Sequence, residues 1–323
     1  MPSGGAAVEV SDLVVRYGST TAVDGVSFTA APGEVLAVLG PNGAGKTTTI
    51  EALEGYRPPT SGTVRVLGLD PRRDARALAS RIGVMLQRDG VYLTMGPADV
   101  LRLFAAYYGD RARPAAEVLT LLGLDRVART PWRRLSGGEQ QRLKLAMAII
   151  GRPEVAFLDE PTAAVDADAR RIVRRIIDEL RGEGCCVLVS THELDEAERM
   201  ADRVVILDHG RVVADGTPAS LRDQRVGGAV AVLRFSTSAT IDTGSLSVHL
   251  GAAVTGSGPG QYVAELEPTP AAVASLTAWL ADHGVELGDL RAGRASLEDV
   301  FLALTAPGGE PPPTNRARTR RRS

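Results

Sequence analysis

Residues 40–47 read Gly-Pro-Asn-Gly-Ala-Gly-Lys-Thr, and they join a wholly apolar run at 35–39 to a helix-like stretch at 48–54. A buried strand passing through this turn into a helix has the spacing of a phosphate-binding loop, GxxxxGK[ST]. No other feature constrains the fold as tightly, because such a loop belongs at the carboxyl end of a strand in a parallel sheet covered by helices. Glycines at 40, 43 and 45 let backbone N–H groups turn inward toward phosphate at the positive end of a helix. Gly40, Asn42, Gly43, Ala44, Gly45, Lys46, Thr47 and Thr48 form the expected nucleotide cradle. Lys46 places a charge on the terminal phosphates, and the Thr47 hydroxyl suits Mg2+.

The rest of the chain agrees with that start. Runs at 35–39, 82–86, 155–158, 186–190 and 204–207 are apolar throughout, as strands buried on both faces are, and they alternate with helix-like stretches. Ahead of them, 8–15 and 26–29 predict antiparallel strands, set off from the core by a turn at 31–34. Between 97 and 130 the strand signals stop, and Leu101, Phe104, Ala105 and Tyr108 recur at helical spacing, which marks a helical subdomain over about 88–135. The expected fold is therefore α/β: a P-loop NTPase core over 8–222 with an antiparallel β subdomain and an inserted helical subdomain. A small α+β C-terminal domain is expected over 228–305, with a strand at 230–235, a glycine-rich loop at 251–260 and a helix at 271–283. Residues 306–323, rich in Pro and Gly and then in Arg, read as a disordered tail.

Bulk properties narrow the function. A formal net charge of -2 calls for no nucleic-acid partner. The only two cysteines, Cys185 and Cys186, are adjacent in an apolar run and cannot staple distant segments, which suits a reducing compartment. No run of about 18 apolar residues and no leader-like N-terminus is found, so a chain that does not cross a membrane by itself is expected.

About a hundred residues after the loop, the apolar strand at 155–158 ends in Asp159-Glu160. In an open α/β sheet ligands gather at the carboxyl ends of strands, which puts this pair beside the phosphate loop. Asp159 is then placed to bind Mg2+, and Glu160 to orient or deprotonate an attacking water.

Leu135-Ser136-Gly137-Gly138-Glu139-Gln140, followed by Gln141-Arg142, resembles the signature of the ATP-binding cassette (ABC) transporters. Taken in order with the phosphate loop, Asp159-Glu160-Pro161-Thr162 and Ser190-Thr191-His192, the resemblance covers about residues 8–221. It implies a dimer in which the signature of one chain closes on ATP held by the other, with Ser136 and the Gly137 and Gly138 amides offered to the γ-phosphate. It implies further that Tyr17 stacks on adenine, that Gln87 reaches Mg2+, that His192 holds the γ-phosphate and the water, and that Asp166 links the half-sites. Lys46, Glu160 and His192 are the catalytic set on this reading. Thr47, Gln87 and Asp159 are the Mg2+ set.

Two departures from the family pattern stand out. Ala163-Ala164-Val165 precedes Asp166 where a Ser or Gly and a Leu are usual, and Glu139 stands where Gln is commonest. Near the end, Ala295 to Leu302 resembles the drug- and antibiotic-exporter ATPases of the daunorubicin-resistance type. The resemblance implies a transport-coupled ATPase that exports a drug, antibiotic or other amphipathic compound. Its expected partners are a second copy of itself and an integral membrane subunit, met through residues 88–99, at the inner face of the cell membrane. An importer ATPase with a regulatory C-terminal domain and a soluble non-transport relative are the alternatives.

Overall fold

A computed structural model describes residues 5–85, 90–163, 165–223, 232–293, 297 and 301. These form two compact units that divide between Pro218 and Ala219.

The first unit is built on a six-stranded sheet. Its strands are β3 (Val35–Leu39), β5 (Ile82–Met85), β6 (Val155–Asp159), β7 (Cys186–Thr191), β8 (Arg203–Asp208) and β9 (Arg211–Gly216), in the order β5-β6-β7-β3-β8-β9. All neighbours are parallel except β8 and β9. β3 and β6 are buried at every position. Their side chains divide between two cores: Val155 and Phe157 enter one, Ala156 and Leu158 the other. Such a strand carries no polar alternation because neither face meets water.

On one face lies a three-stranded antiparallel sheet, β1 (Val8–Tyr17), β2 (Thr20–Ala30) and β4 (Ser61–Val66), in the order β2-β1-β4. Val8, Val10, Leu13 and Val15 of β1 pack there with Leu36, Val38, Phe157 and Leu188 and with Ile50 and Leu53 of α1 (Lys46–Leu53). The other core gathers α3 (Pro97–Tyr108), α4 (Ala115–Leu121), α5 (Gly137–Ile149) and α6 (Ala167–Gly182). Short helices α2 (Ala75–Leu78) and α7 (Leu194–Met200) complete the unit, and α8 (Pro218–Asp223) lies at its boundary. In α6, Val173, Ile176, Ile177 and Leu180 recur at three- and four-residue steps and are buried, while the arginines between them face out.

The second unit is a four-stranded antiparallel sheet of β10 (Val232–Thr237), β11 (Val254–Gly258), β12 (Gln261–Ala264) and β13 (Leu287–Gly293), in the order β11-β12-β10-β13. Helices α9 (Thr243–Leu250) and α10 (Pro270–Asp282) share its core, where Phe235 stacks on Tyr262.

Several local expectations are corrected. The glycine-rich stretch at 251–260 is not a loop: 254–258 form β11, paired with β12, because a hairpin supplies ladder bonds that glycine accepts without side-chain packing. Strands β4 and β9 were not anticipated. β4 is an edge strand with one exposed face, so its apolar signal is confined to Val64 and Val66. The expected strand at 26–29 runs 20–30, since pairing with β1 carries it past the apolar stretch. Leu86 and Gln87, the signature-like segment from 295 to 302 apart from Leu297 and Phe301, and the tail at 306–323 lie outside the described residues.

Candidate functional site

The phosphate loop leaves β3 at Leu39 and enters α1 at Lys46. Two of its glycines leave no room for a side chain without a shift of the backbone. At Gly40 φ is +156° and a Cβ would lie 2.4 Å from the Leu207 carbonyl oxygen; at Gly45 φ is +100° and a Cβ would lie 2.6 Å from that of Ala22. Asn42 and Gly43 stand exposed at the tip, whereas Ala44 is buried. Gly45 also forms the N-cap of α1, so the amides of the first turn lack side-chain acceptors and are open to an anion.

Lys46 is buried among these atoms, and its Nζ donates to Gly40 O at 2.7 Å and Pro41 O at 3.2 Å. Burial lowers its pKa, while the charges of Glu160 and Asp159 oppose that shift. Thr47 and Thr48 are half-buried beside it.

The strand-end acids arrive from β6. Its register with β7 sets Asp159 opposite Ser190, and the Ser190 hydroxyl donates to Asp159 Oδ1. Burial raises the Asp159 pKa; the Ser190 bond and Lys46 work against that, and Glu160 adds to it. Glu160 follows with φ +50°, a left-handed conformation that costs a non-glycine residue on the order of 1–3 kcal/mol. Its Oε1 lies 2.9 Å from His192 Nδ1, and its buried Oε2 has no hydrogen-bond partner among the described residues. β7 delivers His192 one residue past its end, and α7 then anchors the turn: the buried Glu196 lies within 4 Å of Arg170, Arg174 and Arg199.

Lys46, Asp159, Glu160 and His192 therefore come together at the carboxyl ends of β3, β6 and β7. Tyr17 ends β1, with its hydroxyl 3.5 Å from Thr48 Oγ1, which places its ring at the flank of the loop. One face of that ring is covered by the Arg57 guanidinium, 4.7 Å from the ring centre, and the residue remains 40% exposed.

The signature residues stand elsewhere on the unit. Ser136 caps α5: its Oγ accepts from Glu139 N at 3.3 Å, and Glu139 Oε2 accepts from Ser136 N at 2.7 Å and from Ser136 Oγ at 2.9 Å. Glu139, the departure from the commoner Gln, thereby completes a capping box. Ser136 and Gly137 are exposed, and a Cβ on Gly137 would meet nothing within 4 Å. Asp166 is exposed and caps α6, accepting from Ala169 N at 2.8 Å through Oδ1. Gln87 lies outside the described residues.

Three residues escaped the sequence reading as site members. Ser190 reaches Asp159 through strand register, Arg57 reaches Tyr17 across 40 positions, and the Gln141 side chain reaches the Glu160 backbone at 2.7 Å. Ser190 and Gln141 lie within the motifs that carry the resemblance, but nothing in those motifs gives their contacts, and no local pattern marks Arg57.

The donor set fits Mg-nucleotide. Thr47 and Asp159 offer hard oxygen ligands, and no cluster of three or more His, Cys, Asp or Glu forms a metal cage among the described residues. A Mg2+ that takes most of its ligands from phosphates and water needs no such cage.

Residues 23–163 match the family model described as ABC transporter. The daunorubicin resistance ATP-binding protein DrrA3 of Streptomyces coeruleorubidus is 36% identical over 317 residues, covering 93% of this chain and 96% of that protein. The daunorubicin/doxorubicin resistance ATP-binding protein DrrA of Streptomyces peucetius is 36% identical, covering 93% and 92%. The Nod factor export ATP-binding protein I of Ralstonia nicotianae is 34% identical, covering 92% and 93%. Among solved structures, the ATP-binding subunit of an ABC transporter aligns with a TM-score of 0.62 at 29% identity, over 68% of this chain and 92% of that one. A dimeric post-hydrolysis state of an ATP-binding cassette with ADP and Pi shares the fold, with a TM-score of 0.60 at 24% identity over 65% and 98%.

Proposed function

We propose a function on one premise: this chain belongs to the ATP-binding cassette transporter family. It is an ATP-hydrolysing subunit of a transporter. In our reading it drives export of a drug, antibiotic or other amphipathic compound through a separate integral membrane subunit. The names of the relatives, daunorubicin resistance and Nod factor export, support the direction.

The observation that carries the reading is the 2.9 Å approach of His192 to Glu160 beside a buried lysine in a glycine-rich loop. The amides of residues 43–48 and Lys46 hold the β- and γ-phosphates of ATP, and Tyr17 stacks on the adenine. Thr47 and Asp159 hold Mg2+, with Gln87 as a further ligand. Mg2+ supplies charge neutralisation at the phosphate oxygens. Glu160 Oε2 is the free acceptor for the attacking water's proton, and His192 is fixed against the other carboxylate oxygen. Ser136 and the Gly137 and Gly138 amides close on the γ-phosphate held by a second copy, and Asp166 stands by that interface. For Ser136 to donate there, its hydroxyl must let go of Glu139.

Membrane subunits are general partners of this family. A cavity of about 440 Å3, lined by Glu54, Tyr56, Leu78, Phe104, Tyr108 and Met147, supports the place of docking. Tyr92, Leu93 and Tyr107 are exposed, and Tyr107 sits edge-on to Phe104. Among the described residues no helix is long and apolar enough to cross a membrane, so attachment to the inner face depends on that subunit.

The test is Mg-dependent phosphate release by the wild type beside Glu160→Gln, with size-exclusion chromatography in ATP. The wild type hydrolyses, and the variant shows no steady-state turnover, keeps only a slow residual rate in a single turnover, and runs as an ATP-bound dimer. Equal turnover by the two would sink the assignment of Glu160.

A further inference from the structure

Glu160 combines a strained backbone with a task that demands placement. Its φ of +50° is a conformation that a glutamate keeps only where its neighbours hold it. Two neighbours do. On one side, Glu160 N donates to Ser190 O at 3.0 Å and to Ser190 Oγ at 3.2 Å. On the other, Glu160 O accepts from Gln141 Nε2 at 2.7 Å.

The first clamp comes from the neighbouring strand and belongs to the sheet. The second comes from α5, the helix that Ser136 caps, and it is a single side-chain contact between residues 19 positions apart. We propose that Gln141 is a positioning residue for hydrolysis, holding the Glu160 peptide in its left-handed turn so that the carboxylate faces the attacking water. The inference rests on the reading of Glu160 as the group that handles that water.

The physical case is directional. Without Gln141 the Glu160 carbonyl keeps only the longer bond from Ala163 N, a contact inside the same turn that moves with the chain, so the peptide between Glu160 and Pro161 can rotate toward an ordinary φ and the side chain swings with it. Oε2, the oxygen with no hydrogen-bond partner, is the atom displaced. His192 holds Oε1 and cannot correct the peptide, because its bond is to the far end of the side chain. Among the described residues no hydrogen bond joins the Gln141 side chain to the phosphate loop or to Tyr17, so nucleotide binding is left alone.

The full chain is the material for the test. Gln141→Ala removes the donor. Gln141→Glu keeps the shape and folding of the site but sets a carboxylate against the Glu160 carbonyl. Both lower kcat at least tenfold, while KM for ATP and the Kd of a fluorescent ATP analogue stay within twofold of the wild type. Single-turnover rates in a Glu160→Gln background supply the decisive readout. If Gln141 acts through Glu160, either substitution adds no further loss there, since residues acting as one unit are not additive. An unchanged kcat in both variants overturns the proposal. So does a loss of full size on top of Glu160→Gln, which would put the effect elsewhere, or a rise in Kd that matches the fall in kcat. A wild type without turnover, or an active Glu160→Gln, defeats the underlying assignment instead, and is seen before any Gln141 variant is measured.

Discussion

His192 Nδ1 lies 2.9 Å from Glu160 Oε1, a bond between a residue just past the end of one core strand and a residue just past the end of its neighbour. A carboxylate can only accept, so the ring donates through Nδ1 and each group orients the other. His192→Ala is expected to lower kcat about a hundredfold, within the range for a positioned acid–base group, with ATP binding unchanged. Steady-state turnover and equilibrium binding on the same preparation check this. A variant that lost binding in step with turnover would place His192 on the ground-state nucleotide.

Lys46 is held by the Gly40 and Pro41 carbonyls, which aim it over the loop before any phosphate arrives. A charge-assisted bond is worth about 1.5–3 kcal/mol, so Lys46→Ala should raise the Kd for ATP about tenfold or more. Titration with a fluorescent ATP analogue measures it.

Tyr17 presents one ring face while Arg57 covers the other. Stacking of a base on an aromatic ring is worth about 1–3 kcal/mol, so Tyr17→Ala raises KM roughly tenfold and leaves kcat in place. Tyr17→Trp restores the wild-type KM. A loss of kcat at saturating ATP would show that the ring serves the loop and not the base.

Gly45 has φ +100° and no room for a Cβ against Ala22 O. Gly45→Ala must move a strand backbone or the loop, at a cost of about 1–3 kcal/mol or more. A lower thermal midpoint without nucleotide, together with weaker ATP binding, is the expected result. Ala at position 43, where the added carbon meets nothing, should cost less stability.

Glu54 follows α1 and lines the cavity, and burial there, with the charges of Asp159 and Glu51, pushes its pKa up to about 8 from 4.5. The folded state therefore holds this proton more tightly than the unfolded chain. The resulting stabilisation is complete below about pH 4.5 and is lost as pH rises toward and through about 8. Glu54→Gln should melt higher than the wild type at pH 9, and the gap should narrow as pH falls to 6. Thermal midpoints of both proteins across that range decide it. Parallel curves would mean that the carboxyl is solvated in both states.

What the sequence determined by itself is what a few neighbouring residues encode. The all-apolar runs of β3 and β6, the glycines and Lys46 of the loop, Ser136 at a helix start and the acids at a strand end were legible because burial on two faces, positive φ and capping are local demands. β11 was lost in its glycines and β4 in its exposed face, since both owe their existence to pairing partners. Only the tertiary structure decided how the acids are held. Ser190 meets Asp159 because β7 lies beside β6 in one register, Arg57 meets Tyr17 because the segment after α1 runs beside the end of β1, and Gln141 meets Glu160 because α5 packs against β6. Each of these contacts spans 19 or more positions, and a side chain alone carries no sign of which distant backbone it will be folded against.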